Sequence, residues 1–200
     1  LLRSVAFCLA ALSCAAAWAQ SPLAVLRGTI AAVAVDGGGL TFKTRGGESA
    51  HVALGPKTVY VDVVKASAAD LKPNAFIGVA AVPDPGGGLK ALEVHIFPEA
   101  MRGTGEGFRP FDLAPHSSMT NGALNVKVGG VAGDTLTVAY KGGSQTIRLP
   151  ADAPIVAFAP GDKADVKPGA AAIVRGVKAA DGAVTAAFVL VGKDGVVPPM

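Results

Sequence analysis

Leu136, Val138 and Tyr140 alternate with Thr135, Thr137 and Ala139, and Ile147 and Leu149 alternate with Thr146 and Arg148. A period of two is the signature of strands that turn one face to a core and the other to water. Turn chemistry separates such runs: Gly46-Gly47, Gly142-Gly143 and Asp181-Gly182 supply the positive φ that a tight hairpin needs. The pattern predicts strands near 26–35, 39–45, 48–54, 58–64, 75–82 and 89–97, and again near 124–132, 134–141, 144–149, 154–158, 170–178 and 183–191. Ser67–Pro73 and Asp162–Pro168 each read as a short helical turn stopped by its proline.

The two series of strands are two diverged copies of one module. Leu40-Thr41 matches Leu136-Thr137, and Arg45-Gly46-Gly47 matches Lys141-Gly142-Gly143. Further on, Asp70-Leu71-Lys72-Pro73-Asn74 matches Asp165-Val166-Lys167-Pro168-Gly169, and Leu89-Lys90-Ala91 matches Val184-Thr185-Ala186. One insertion or deletion near Pro56 or Pro154 aligns all four landmarks. Five or six strands with a single interrupting turn suit a small closed barrel, since closure removes unpaired edges. The expected fold is therefore all-β, two tandem small antiparallel β-barrels of OB-like character. Residues 20–97 form the first, 98–124 an ordered connecting segment, and 125–200 the second.

The cadence of a Leu-Thr-(Phe/Val) strand, a Gly-Gly hairpin, an Asp-(Leu/Val)-Lys-Pro-(Asn/Gly) turn and a closing Gly-x-(Leu/Val)-x-Ala strand resembles exported bacterial domains of the domain-of-unknown-function 5666 type. The resemblance covers both halves of the chain after residue 20. It implies a periplasmic β-barrel module with no established activity, and it carries over no catalytic residues.

The first residues change the picture of location. An apolar stretch from Val5 to Ala17 follows Arg3 and ends in Ala17-Trp18-Ala19, the small-x-small pattern of a signal-peptidase site. Cleavage is expected after Ala19, giving a signal peptide over 1–19 and a periplasmic or secreted protein. The stretch is short of the roughly 20 residues that cross a bilayer, so no transmembrane segment is expected in the mature chain. Both cysteines, Cys8 and Cys14, lie inside it, which leaves the mature part without thiol or disulfide chemistry. Ser13-Cys14 leaves lipidation as the alternative way to reach the envelope.

Half of the 200 residues are apolar and 16% are charged, with 26 Gly and 14 Pro, which describes a turn-rich chain that folds. Lys and Arg exceed Asp and Glu by only 18 to 15, with no basic run, so no nucleic-acid partner is expected. No Gly-x-Ser-x-Gly context exists, and Ser117 and Ser118 beside His116 cannot face it as a triad requires. Enzyme activity is not expected, nor any cofactor. Gly103-Thr104-Gly105-Glu106-Gly107 lacks the strand before it and the helix after it that a phosphate-cradling loop needs.

Two constellations remain. The segment 98–124 concentrates charge and aromatics, and Arg102, Glu106, Phe108, Arg109 and Phe111 make a candidate ligand surface, or else pin the segment to a barrel. Glu93 and His95 sit two apart on one strand face, where the second copy has Phe188 and Leu190. With Glu99 and His116 they form a candidate divalent-metal set, against the plainer expectation of a solvated strand face. His51 reads as a lone surface histidine. The leading expectation is a non-enzymatic periplasmic binding or interaction protein whose partner is an envelope protein, a glycan or a small ligand. The alternatives are metal handling through His95, His116, Glu93 and Glu99, and a structural spacer in an envelope assembly.

Overall fold

The computed structural model describes residues 23–129 and 134–200. Segment 1–19, with both cysteines and the expected cleavage site, lies outside the described residues. The described chain is all-β, as the alternation predicts. Its strands are β1 (Leu23–Val33), β2 (Gly39–Thr44), β3 (Ser49–Lys65), β4 (Phe76–Pro83), β5 (Leu89–Ile96), β6 (Gly107–Pro110), β7 (Ser118–Val128), β8 (Asp134–Tyr140), β9 (Gly143–Leu149), β10 (Ile155–Pro160), β11 (Ala171–Lys178) and β12 (Val184–Gly192). Single 3-10 turns stand at Ala68–Asp70, Glu99–Met101 and Lys163–Asp165. No helix among the described residues is long and apolar enough to cross a membrane.

Two boundaries differ from expectation. The strands expected at 48–54 and 58–64 are the single β3, which passes through Pro56 without leaving the sheet. Thr58 makes this possible: its Oγ1 accepts from the Gly55 N–H and donates to the Ala186 carbonyl, both at 2.9 Å, replacing ladder bonds that the bend removes. The parallel register to β12 accordingly jumps from Ala186↔Leu54 to Phe188↔Val59. The segment 98–124 is likewise no separate connection, because it holds β6 and the start of β7, whose residues Ser118–Asn121 pair with β4 on one side and β6 on the other.

Strands β1, β2, β3, β12 and β11 pair in that order, and β11 returns to β1, which closes a five-stranded barrel. The β3–β12 contact is parallel and the rest are antiparallel. Among the remaining strands, β7, β8, β9, β5 and β4 run in a second circuit of pairings, again with one parallel contact, between β9 and β5. The expected division into one barrel before the connection and one after it is therefore not how the strands pair. Hairpin β4–β5 joins strands that follow residue 117, and hairpin β11–β12 joins strands that precede residue 66. Alternation tells each strand which face to bury but not which partner to take, so this exchange leaves no mark in the local pattern. Strand β10 ties the circuits together, antiparallel to β3 and parallel to β5.

Three cores result. Ile30, Phe42, Val52, Val174 and Val189 fill the closed barrel, and Ile77, Val79, Leu124, Leu136 and Ile147 fill the second circuit. The third core lies in the seam between their outer faces, where Val61, Val63, Phe76, Phe97, Met119, Phe158, Ile173 and Leu190 interlock. Each fully buried side chain of this size contributes about 1.5–3 kcal/mol over an exposed one, so the seam binds the circuits as firmly as a domain core.

Candidate functional site

The seam contains charge. Leu92 is a β-bulge: Ala81 faces Ala91 but Ala80 faces Glu93. That extra residue sends Ala91 and Val94 into the second core while turning Glu93 and His95 toward the seam. Across β5, β4, β7 and β6 the register lines up Glu93, Ala80, Met119 and Arg109 in one row, and His95, Gly78, Asn121 and Gly107 in the next. The small residues in the middle of the rows give the polar ones room. The His95 ring lies directly over Gly78, close to the Asn121 side chain.

Glu93 and His95 are 1% and 2% exposed, so the expected solvated strand face is overturned. His95 Nδ1 faces Glu93 Oε1 at 3.3 Å, and its ring stacks on Phe158 at 4.9 Å and meets Phe97 edge-on at 4.8 Å. Glu93 Oε2 and Asn121 Oδ1 are buried without a hydrogen-bond partner, while Asn121 Nδ2 donates to the Thr104 carbonyl at 2.9 Å. From the barrel side, Arg27 clamps Asp112 through both Nη groups at 3.0 and 2.7 Å and lies over the Phe111 ring. That guanidinium holds the Asp112 carboxyl below the usual carboxylate range. Arg175 stands beside them; burial lowers its pKa, Arg27 and Arg109 act in the same direction, and Asp112 and Glu93 oppose.

A second feature lies on the barrel's β2–β3 face. An open cleft of about 390 Å³ is floored by Thr41, His51 and Ala53 and flanked by the β1–β2 turn and Ala183 of the β11–β12 turn. The second circuit carries an ion pair between β9 and the β4–β5 turn. There Asp84, which opens the β4–β5 turn as Ala179 opens the β11–β12 turn, binds Arg148 at 2.6 Å, and Arg148 occupies on β9 the place of Ala53 on β3.

No family model, curated protein or solved structure matches this chain.

The chain's candidate ligand surface is mostly used for structure. Arg102 binds Glu99 and the Asn74 carbonyl and lies over Phe76, and Glu106 accepts the Lys141 N–H at 2.8 Å. Phe111 packs into the seam core, and Arg109 donates from Nη1 to the Gly105 carbonyl. Phe108 is 46% exposed, and Arg102 and Glu106 are exposed too, with their polar ends engaged as above. The candidate metal set is not brought together: Glu93 and His95 lie in the seam, Glu99 pairs with Arg102 on the surface, and His116 sits at positive φ in an exposed turn. Among the described residues no three His, Cys, Asp or Glu side chains gather to hold a metal ion. Ser117 Oγ serves its own turn, donating to the Phe111 carbonyl and accepting from the Ala114 N–H. Sequence reasoning missed Arg27, Arg175, Asn121 and the cleft. The one signal for the cleft was the series of small residues at Gly39, Ala53 and Ala183, which ordinary turns and strands also show.

Proposed function

We propose that the chain is a non-enzymatic binding or interaction protein of the bacterial envelope, built from two OB-like modules that exchange their closing hairpins, and that its ligand sits in the open cleft. The single observation carrying the binding reading is that open cleft on β2 and β3. It lies beside the β1–β2 turn and the β11–β12 turn on the β2–β3 face, where OB-type barrels take extended ligands such as oligosaccharides. Its small, mostly apolar floor with one imidazole and one hydroxyl suits a flat sugar ring or short peptide better than a highly charged molecule.

Support for the duplicated architecture comes from the β3–β10 ladder. Adding 95 to 61 and to 65 gives 156 and 160, and the observed pairs are Val61↔Pro160, Val63↔Phe158 and Lys65↔Val156, so the ladder is symmetric about Val63–Phe158. Equivalent residues pairing reciprocally is the rule of an isologous interface. The two proline turns agree: Asn74 and Gly169, 95 apart, both take positive φ, and Asp70 and Asp165 both accept the backbone N–H three residues earlier. The export signal and the resemblance to domain-of-unknown-function 5666 modules support the envelope location.

The test is to close the cleft with the other circuit's own ion pair, through Ala53→Arg with Ala179→Asp. Both proteins are applied to an array of envelope glycans and short peptides. Binding by the parent chain that the double variant loses, at unchanged melting temperature, is expected. Unchanged binding by the variant refutes the site. Turnover of a glycan, ester or peptide, abolished by replacing one polar residue, refutes the non-enzymatic reading.

A further inference from the structure

Strands β1 and β7 are set alike in their circuits. A Cβ built on Gly28 would stand 2.0 Å from the Lys43 carbonyl oxygen, and one built on Gly122 would stand 2.1 Å from that of Ala139. Two residues on, Ile30 exchanges backbone hydrogen bonds with Ala170 and Gly169 at 2.9 and 2.8 Å, and Leu124 does so with Ala75 and Asn74 at 2.8 and 2.7 Å. A one-residue bulge follows in each, at Ala31 and at Asn125. Residues 24–27 of β1 therefore stand where 118–121 stand on β7, with β11 along one side of the first and β4 along the same side of the second.

The other side of the two strands differs. On β7 it is covered by β6, which pairs antiparallel with residues 118–121, and these are 7, 1, 0 and 3% exposed. On β1 no strand among the described residues pairs with 23–27 on that side, and 24–27 are partly exposed. Successive residues of a strand turn their backbone groups to opposite sides. Ile30 turns its own to the β11 side, so Val25 and Arg27 turn theirs to the open one, where the Arg27 carbonyl accepts the Arg45 N–H at 2.8 Å. The Val25 N–H and C=O and the Arg27 N–H meet no strand among the described residues. Strands that end a sheet are blunted by charge, proline or a bulge, as β6 is by Arg109 and Pro110. Leu23-Ala24-Val25-Leu26 carries none of these.

We propose that this edge of β1 docks an extended segment of a partner polypeptide, added antiparallel to residues 23–27 as β6 is added to β7. Only an extended backbone repeats donors and acceptors at the spacing of Val25 and Arg27, and β6 fills the same seat on β7 in that way. The register sets the side chains of the partner. Leu23 is 81% exposed and Val177 beside it 42%, and Val25 is only partly covered by the seam core, so the residues opposite Leu23 and Val25 are apolar. Opposite Arg27 the partner residue is small, as Gly107 is opposite Asn121, because Phe111 and Asp112 already lie on the Arg27 guanidinium. Read along the partner, the motif is small-x-apolar-x-apolar. The edge shares no residue with the cleft and does not rest on the cleft being occupied.

The test uses the full chain and the peptide acetyl-Gly-Thr-Val-Thr-Val-Thr amide, followed by calorimetry and by backbone amide shifts. Saturable binding is expected, with shifts on residues 23–27 and with hydrogen exchange at the Val25 and Arg27 amides fast in the chain alone and slowed by the peptide. The same peptide methylated on the backbone nitrogen of its first valine, the residue set opposite Val25, keeps every side chain but loses the donor, and should bind about tenfold or more weakly. Val25→Pro removes the N–H on the open side and no bond to β11, so it should melt close to the parent and lose affinity about tenfold or more. The methylated peptide is read on the parent chain, so it decides even where the variant fails to fold. No saturable binding, equal binding of the methylated peptide, binding that survives Val25→Pro, or Val25 and Arg27 amides already protected in the chain alone overturns the proposal. A dimer in sedimentation that Val25→Pro dissolves would give the edge to a second copy and overturn it too. Shifts confined to Thr41, His51 and Ala53 would seat the peptide in the cleft, overturning the edge site while leaving the cleft intact.

Discussion

Gly78→Ala tests the packing of the seam. A Cβ built on Gly78 overlaps Nε2 of His95 and stands 2.7 Å from Asn121 Oδ1. The ring has no room to yield, since Phe158 covers its face, Phe97 its edge, and Glu93 holds Nδ1. Forcing one methyl into such a core costs about 1–3 kcal/mol. Moving the ring off Glu93 leaves a carboxylate that is 1% exposed without its remaining partner, which adds about 1–3 kcal/mol. The expected loss is therefore roughly 2–6 kcal/mol, read by urea unfolding of the purified chain followed by circular dichroism. A double-mutant cycle with His95→Ala isolates the cause, because removing the ring removes the collision. In that background Gly78→Ala should cost under about 1 kcal/mol, giving a coupling of about 1 kcal/mol or more. A loss below about 0.5 kcal/mol for the single variant, or additive losses in the cycle, refutes this account of the seam.

Phe158→Ala, which removes the ring shared by His95 and Phe97 at the centre of the seam, should cost about 3–5 kcal/mol and still give one unfolding transition when followed by probes in both circuits. Two separated transitions would show that the circuits fold independently. Acid should destabilise the chain in a defined window. Ser67 holds Asp70, Arg148 holds Asp84, Arg27 holds Asp112 and Lys193 holds Asp165 below the ordinary carboxylate range. Folded-state values below the unfolded ones give stabilisation that is fully present above the unfolded carboxylate pKa and is lost as pH falls through the folded values. Melting temperature should thus stay level from neutral pH to about 5 and fall below about 4, less steeply in Asp112→Asn. A decline beginning near neutral pH would contradict this.

Strand identity was legible because it is local. The alternation at Leu136–Tyr140 and the glycine turns place most strands within a few residues, and the shared face of Glu93 and His95 follows from period two alone. What covers that face was not legible. Its environment depends on the Leu92 bulge and on hairpin β4–β5 crossing to strands after residue 117, neither of which changes the pattern of apolar and polar residues. Pro56 concealed the continuity of β3 for a related reason, since the Thr58 hydroxyl that carries the strand through is indistinguishable in sequence from any surface threonine. Arg175 reads as the outward residue of an ordinary strand, and only the pairing of β11 with β1 and β12 sets it between Val25 and Phe188.

The exchange of hairpins has a topological consequence. The turn at Gly103–Glu106 is exposed, and a protease that severs the chain there would release neither fragment. Each piece would still thread two strands through the other's circuit, so separating them requires unfolding both at once. A nicked chain should run as two bands under denaturing conditions and as one intact particle in solution.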